Sequence, residues 1–356
     1  MEVALKVTVI IPFHRNLRHL GESLAAVRRS LPDAEVLIAA DGAVEDCGSL
    51  AESWGAQVVI VRGPRGPAVA RNRAAALASG DVLAFVDADV VAAPDALPGM
   101  CALLAAEPGL AGVFGAYDLC PRERNFMSQY RNLSHAYVHE MGRPQAWTFW
   151  AGLGAVRADA FRAIGGFDER FRRPSIEDIE LGYRLVAGGR SLRLDVRFRG
   201  QHLKRWTLRS SIATDILMRG IPWAQLVCRS RDVSNDLNLS MHLRMSAVVT
   251  VALAASLARA VFHPLSGALV PATLLVVLVG LNLPYYGWFA RKRGVLFALR
   301  VIPLHVIHHS CNVVSIAVGT ALHVVGRFGL TLPGALPTDV WASHSVPANG
   351  QPGARS

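Results

Sequence analysis

Apolar positions come in short blocks up to about Trp206 and in long ones from Met245 onward. In the first part, short β-branched blocks are followed by stretches with helical spacing, the mark of alternating strands and helices. Val7-Thr8-Val9-Ile10-Ile11 predicts a strand stopped by Pro12, and Leu17 to Ser30 predicts a helix. Val36-Leu37-Ile38-Ala39-Ala40 predicts a second strand ending at Asp41-Gly42, with a helix over Cys47 to Trp54 and a strand over Gln57 to Val61 to follow. The loop Arg62-Gly63-Pro64-Arg65-Gly66-Pro67 then leads to a helix from Ala68 to Ala78 and to the buried strand Val82-Leu83-Ala84-Phe85-Val86. This order predicts an α/β fold with a mostly parallel sheet flanked by helices, which binds its ligands at the carboxyl ends of the strands.

Beyond Trp206 the pattern changes. Thr207 to Arg231 mixes Ile212, Ile216, Leu217, Ile221, Trp223 and Leu226 with Arg209, Arg219, Arg229 and Arg231. That predicts amphipathic helices on a membrane surface or, alternatively, a solvated helix pair packed on the preceding domain. Met245 to Phe262 and Leu265 to Leu283 are each about long enough to cross a hydrocarbon core, which takes ~20 helical residues for ~30 Å. His263-Pro264 would form the turn between them. Val295 to Val325 reads either as a third span or, since Arg300, Pro303, His305, His308 and His309 interrupt it, as a kinked interfacial helix. The expected division is a catalytic domain over 1–206, interfacial helices over 207–244, a membrane region with two or three transmembrane helices over 245–327, and a Pro/Gly/Ser-rich disordered tail over 328–356.

Composition agrees with a chain partly in lipid: 52% of the 356 residues are hydrophobic, and the mean hydropathy is +0.31. A formal net charge of +10 favours anionic partners. Beside lipid-length segments, acidic headgroups and phosphate-bearing substrates lead over nucleic acid, which is not expected as a partner. Five cysteines without C-x-x-C spacing suggest neither a zinc site nor a disulfide framework, so a reduced, cytosol-facing domain is expected. No cleavable signal peptide is expected, because a strand follows Met1 closely. Arg291-Lys292-Arg293 would return to the side of the basic segment before Met245, as the positive-inside rule asks of a multi-pass cell-membrane protein with a cytoplasmic catalytic domain.

The candidate chemistry sits at the strand ends. Asp41, Asp87 and Asp89 all occupy such positions, and the last two form an Asp-Ala-Asp motif on the rim of the predicted sheet. Hard carboxylate oxygens there suit a divalent cation and a diphosphate. The alternative is that the two acids cap the turn near Pro94-Asp95. Glu177-Asp178 places two carboxylates in a first helical turn, either as a proton acceptor or as partners of the helix dipole. Gly152 would let backbone approach a sugar, or mark a plain turn. Arg71 and Arg205 could reach a phosphate, or be surface cations. His135 and His139, at helical i, i+4 spacing, read as structural.

These motifs, in this order, resemble the family-2 glycosyltransferases with the nucleotide-diphospho-sugar transferase (GT-A) fold. "VTVIIPFHR" resembles the opening strand with its terminating Pro12; Asp41-Gly42 the aspartate that recognises the base; Ala70-Arg71-Asn72 the segment before the metal motif; and "FVDADV" the D-x-D motif. Trp150 to Phe171 resembles the glycine loop, "SIEDIELGYRL" the Glu-Asp pair, and "HLKRW" the late His202 with Arg205-Trp206. The resemblance implies a metal-dependent, inverting, hexosyltransferase-like enzyme. A nucleotide diphosphate sugar would be its donor and Mn2+ or Mg2+ its cation. Asp89, Asp87 and His202 would lie at the metal, with Asp87 closer to the ribose. Asp178 would be the base, beside Glu177. Pro12, Asp41, Arg71, Asp87, Gly152, Arg205 and Trp206 would lie on the donor side. Ala40 stands where many members carry another acid. Gln201 lies one residue too far from Arg205 for the processive Q-x-x-R-W pattern, which favours transfer of a single sugar. With a basic amphipathic stretch beside the spans, the expected acceptor is a lipid or lipid-linked glycan in cell-envelope assembly, and the expected membrane carries anionic lipids. A polysaccharide synthase component and a catalytically inactive sugar-nucleotide-binding scaffold are the alternatives.

Overall fold

A computed structural model describes residues 5–43, 45–229, 241–262 and 268–327. The expected disordered tail, the turn at His263-Pro264 and the middle of the 207–244 segment lie outside the described residues. The chain divides into two compact units. One comprises residues up to Arg124 together with Gly142–Arg205, and the other comprises Asn125–Met141 and the described residues from Trp206 onward.

The first unit opens with β1 (Val7–Phe13), α1 (Leu17–Ser30), β2 (Glu35–Asp41), α2 (Gly48–Ser53), β3 (Gln57–Val61), α3 (Pro67–Leu77), β4 (Val82–Val86), β5 (Val90–Ala92), α4 (Ala96–Ala106) and β6 (Leu110–Tyr117). Helix α5 (Phe126–Glu140) belongs to the second unit. The first unit resumes with β7 (Gln145–Ala146), β8 (Leu153–Arg157), α6 (Ala158–Ala163), α7 (Glu177–Ala187) and β9 (Ser191–His202). Helix α1 shows why the apolar pattern works: Leu20, Leu24 and Val27 share its buried face, the Asn16 side chain accepts from His19 N at its start, and Arg28 and Arg29 sit at its end.

The sheet runs β3-β2-β1-β4-β8-β6-β9-β5, with β7 paired to β9. The expected parallel order holds over β3-β2-β1-β4 and again between β6 and β9. The sheet as a whole is mixed, because β8 runs antiparallel to β4 and β6, and β5 and β7 run antiparallel to β9. Strand order reverses at β1, which lies between β2 and β4, and such a reversal opens a crevice at the carboxyl ends of the strands. Phe13, Asp41 and the turn after Val86 all lie there.

The second unit contains α5, α8 (Leu208–Ala213), a π-helical stretch (Thr214–Gly220), α9 (Ile221–Arg229), α10 (Met241–Phe262), α11 (Leu269–Leu281), α12 (Leu283–Arg293) and α13 (Val295–Arg327). Helices α10 and α13 are long and apolar enough to cross a membrane. The segment expected as the second span falls in a pair of helices, α11 and α12, that are together long and apolar enough for a broken span or a re-entrant loop and that meet at 62°. At ~1.5 Å per residue the 13 residues of α11 reach only ~20 Å, short of the ~30 Å hydrocarbon core. Asn282 occupies the break, 2% exposed. Its amide donates to Ser246 Oγ at 3.0 Å and to Leu278 O at 2.9 Å, which satisfies polar groups that an apolar surrounding would leave costly. The third segment is one helix of 33 residues that continues through Pro303.

Helix α5 is held by side chains that come much later in sequence. Ser134 Oγ lies 2.7 Å from Tyr285 Oη, and Trp288 Nε1 donates to Glu140 at 2.9 Å. Arg131 pairs with buried Asp215 at 2.7 Å, and His308 Nδ1 approaches the same carboxylate at 3.0 Å. Burial works against the charge on Asp215, yet His308 and Arg131 overcome it and hold the carboxyl down at about 2.

Candidate functional site

The turn after β4 carries the first cluster. Asp87 O accepts from Val90 N at 2.9 Å, which closes the turn, and β5 then pairs with the end of β9 so that Val90 faces His202. This register brings His202 Nε2 to 3.5 Å from Asp89 Oδ2, while Leu203 N donates to Asp89 O at 2.8 Å. The carboxylates of Asp87 and Asp89 keep about a third of their exposure, 32% and 31%, whereas His202 is buried. Neither acid caps a helix: the N-cap of α4 is Asp95. Tyr117 stacks on the His202 imidazole, and Trp150 meets Tyr117 edge-on.

Arg71 forms the second link. Its position on α3 buries the guanidinium, with Nη2 donating to Asp87 Oδ1 at 2.7 Å and Nη1 to Glu177 Oε1 at 3.0 Å. The sequence suggested a cation that reaches phosphate; the fold directs both Nη atoms at carboxylates, over the face of Phe167. Burial moves the Asp87 carboxyl upward, with Arg71 opposing and Asp89 adding to the rise. Burial acts the same way on Asp89, but His202 and Lys204 outweigh it and the carboxyl is held below the usual range. The two acids of the motif are thus driven apart by their surroundings.

Asp178 enters from the first turn of α7. Its Oδ1 accepts from Ile179 N at 2.8 Å and its Oδ2 from Ala151 N at 3.2 Å. The next residue, Gly152, accepts from Asp87 N at 3.1 Å through its carbonyl. The Ala151-Gly152 turn therefore ties the Asp178 helix to the Asp87 turn, and Arg71 makes the same connection through Glu177. A Cβ on Gly152 would lie 2.5 Å from the Trp150 indole, so the space that glycine leaves is filled by that ring.

Asp41 sits at the end of β2, 8% exposed. Its carboxylate accepts from Arg65 N at 2.7 Å and Gly66 N at 2.8 Å, bracing the loop that leads into α3. Gly66 has φ 99°, and a Cβ there would lie 2.7 Å from the Arg172 backbone, so the loop needs a glycine at this point. Pro12 lies in β1 opposite Ala39. Arg205 is 73% exposed and 4.0 Å from Glu123. Trp206 lies in the second unit, where its N–H donates to Ser128 Oγ at 2.7 Å and Arg131 covers its ring.

The fold thus gathers Arg71, Asp87, Asp89, Gly152, Glu177, Asp178 and His202. Tyr117, which touches this cluster, carries no motif: it ends an entirely buried strand and reads as core in the sequence, whereas Trp150 opens the segment that resembles the glycine loop. The Asp89 carboxylate and the His202 imidazole, 3.5 Å apart, form an oxygen–nitrogen pair that could hold a divalent cation. Among the described residues no group of three or more His, Cys, Asp or Glu side chains could hold a metal alone. A cation here would take its remaining ligands from substrate oxygens and water, the usual arrangement where a phosphate-bearing substrate is bound.

Residues 8–165 match glycosyl transferase family 2. The chain is 29% identical over 248 residues to the pre-mycofactocin glycosyltransferase of Mycobacterium tuberculosis, covering 66% of this chain and 50% of that one. It is 29% identical over 221 residues to the validoxylamine A glucosyltransferase of Streptomyces hygroscopicus subsp. jinggangensis, covering 51% of each. It spans about half the length of these curated relatives. A mannosyltransferase of Pyrobaculum calidifontis, solved with GDP-Man and Mn2+, shares the fold with a TM-score of 0.59 at 21% identity, covering 83% of this chain and 86% of that one.

Proposed function

We propose that this chain, whose residues 8–165 match glycosyl transferase family 2, transfers one sugar, with inversion, from a nucleoside diphosphate donor to a hydroxyl of a lipid or lipid-linked acceptor at a membrane. The observation that carries the transfer reading is the convergence of Asp89 with His202 and, through the Ala151-Gly152 turn, of Asp87 with Asp178. Asp89 and His202 would hold the divalent cation, Mn2+ or Mg2+. When bound, the cation supplies Lewis-acid stabilisation of the charge that grows on the departing diphosphate. Arg71 fixes one oxygen of Asp87, which leaves the other for the donor. Asp178 takes the acceptor's proton, and a single displacement by the freed oxygen inverts the anomeric carbon.

The membrane half of the reading rests on α10 and α13, and on Arg291, Lys292 and Arg293 in the last turn of α12, where basic side chains meet anionic headgroups. It places the catalytic unit on the cytoplasmic side of a cell membrane. Membranes from cells that overproduce the chain, given a panel of radiolabelled nucleotide sugars, test it. Label should appear in a chloroform–methanol-extractable product carrying one added sugar. Label found solely in water-soluble small molecules would overturn the lipid acceptor, and a ladder of lengths would overturn single transfer.

A further inference from the structure

We propose that Tyr117 is a positioning residue for metal binding, one that fixes the plane of the His202 imidazole and thereby aims Nε2 at the site of Asp89. The inference rests on the reading of Asp89 and His202 as the protein's ligands. A histidine ligates through a lone pair lying in the ring plane, so its affinity depends on how the ring is turned, and a side chain with two free torsions loses entropy when a metal fixes them. In this fold the rotation is already set. The Tyr117 and His202 rings stack at 4.4 Å with planes 13° apart. Tyr117 is itself wedged by Trp150, whose ring meets it at 4.7 Å and 79°.

The arrangement follows from strand register. Tyr117 pairs with Gly200 between β6 and β9, and Val90 pairs with His202 between β5 and β9, so Tyr117 and Asp89 approach the same end of β9 from its two sides. Trp150 can lie where it does because Gly152 has no Cβ. Gly152 is also the residue whose carbonyl accepts from Asp87 N. A continuous series of contacts, Gly152 to Trp150 to Tyr117 to His202, thus joins the turn that holds the metal motif to the imidazole that faces it. Both aromatic side chains are nearly buried, at 7% for Tyr117 and 9% for Trp150. The imidazole therefore rests against one aromatic face, that of Tyr117, which Trp150 backs edge-on.

The test is direct Mn2+ binding to the full chain in detergent, read as loss of the free-ion EPR signal and requiring no substrate. Tyr117→Met keeps the space filled without an aromatic plane and should weaken Mn2+ binding by about 10- to 100-fold, the usual effect of removing a group that orients a ligand. Tyr117→Phe, which keeps the ring, should bind as wild type does. Tyr117→Leu supplies the same test if the Met variant does not fold. In a cycle with His202→Ala, the second loss should be absorbed by the first, because Tyr117 acts through His202. Unchanged affinity in folded Tyr117→Met, or losses that add in the double variant, would overturn the proposal. If His202→Ala itself left Mn2+ affinity unchanged, the ligand assignment would fall and this proposal with it; a loss in His202→Ala beside none in Tyr117→Met would refute the positioning role alone.

Discussion

Asp178→Asn should lower turnover by about 10²- to 10⁴-fold while leaving donor affinity close to that of the wild type. The amide is nearly isosteric and keeps an oxygen that can accept from Ala151 N or Ile179 N, so the first turn of α7 should stay in place. What is lost is a group that can carry the acceptor's proton away as the new bond forms. The split between turnover and binding identifies the role, since a purely structural carboxylate would fail in both. Steady-state kinetics beside donor titration decides it. Full turnover in Asp178→Asn would remove this residue from the chemistry and leave the Glu-Asp pair as partners of the helix dipole.

The second large effect is expected at Arg71. Arg71→Met leaves Glu177 buried, at 5% exposure, without the guanidinium that compensates its charge, and it also frees Asp87. Breaking a buried ion pair from one side costs about 3–5 kcal/mol, so the melting temperature should fall markedly and donor binding should fall with it. Lysine should rescue little, because a single ammonium cannot present two donors to two carboxylates in a fixed fork. Arg71→Met combined with Glu177→Gln should recover part of the lost stability, since the uncompensated charge is then gone. Thermal unfolding in detergent reads all three variants. An unshifted transition in Arg71→Met would show that the bridge does not hold the two segments together.

Much of this site was legible in the sequence because its parts are local. A buried strand that ends in Asp87-Ala88-Asp89 can be read from a window of a few residues, as can two acids at a helix start. The connections between those parts were not legible. Arg71 and Glu177 are 106 positions apart, and nothing around either names the other. Tyr117 looks like any aromatic in a buried strand until the β6–β9 register places it on His202. The same holds for α5, which sequence order puts within the catalytic domain; its partners Tyr285 and Trp288 lie 151 and 148 positions further on. Hydropathy marked the segment ending at Leu283 as a span but gave no sign of the bend at Asn282, because it averages over that residue. A buried amide bonded to Ser246 sits at that break, and a window average has no access to that bond.

The central claim is that Asp89 and its partners hold a cation on which donor binding depends. Calorimetric titration of the detergent-purified chain with a panel of nucleotide sugars, with and without Mn2+ and beside Asp89→Ala, tests this most directly. One donor should bind tightly in the presence of Mn2+, weakly without it, and weakly to Asp89→Ala under either condition. Equal affinity in all conditions, or no binding of any donor to the wild-type chain, would contradict the account and leave the Asp-Ala-Asp turn without a role in sugar transfer.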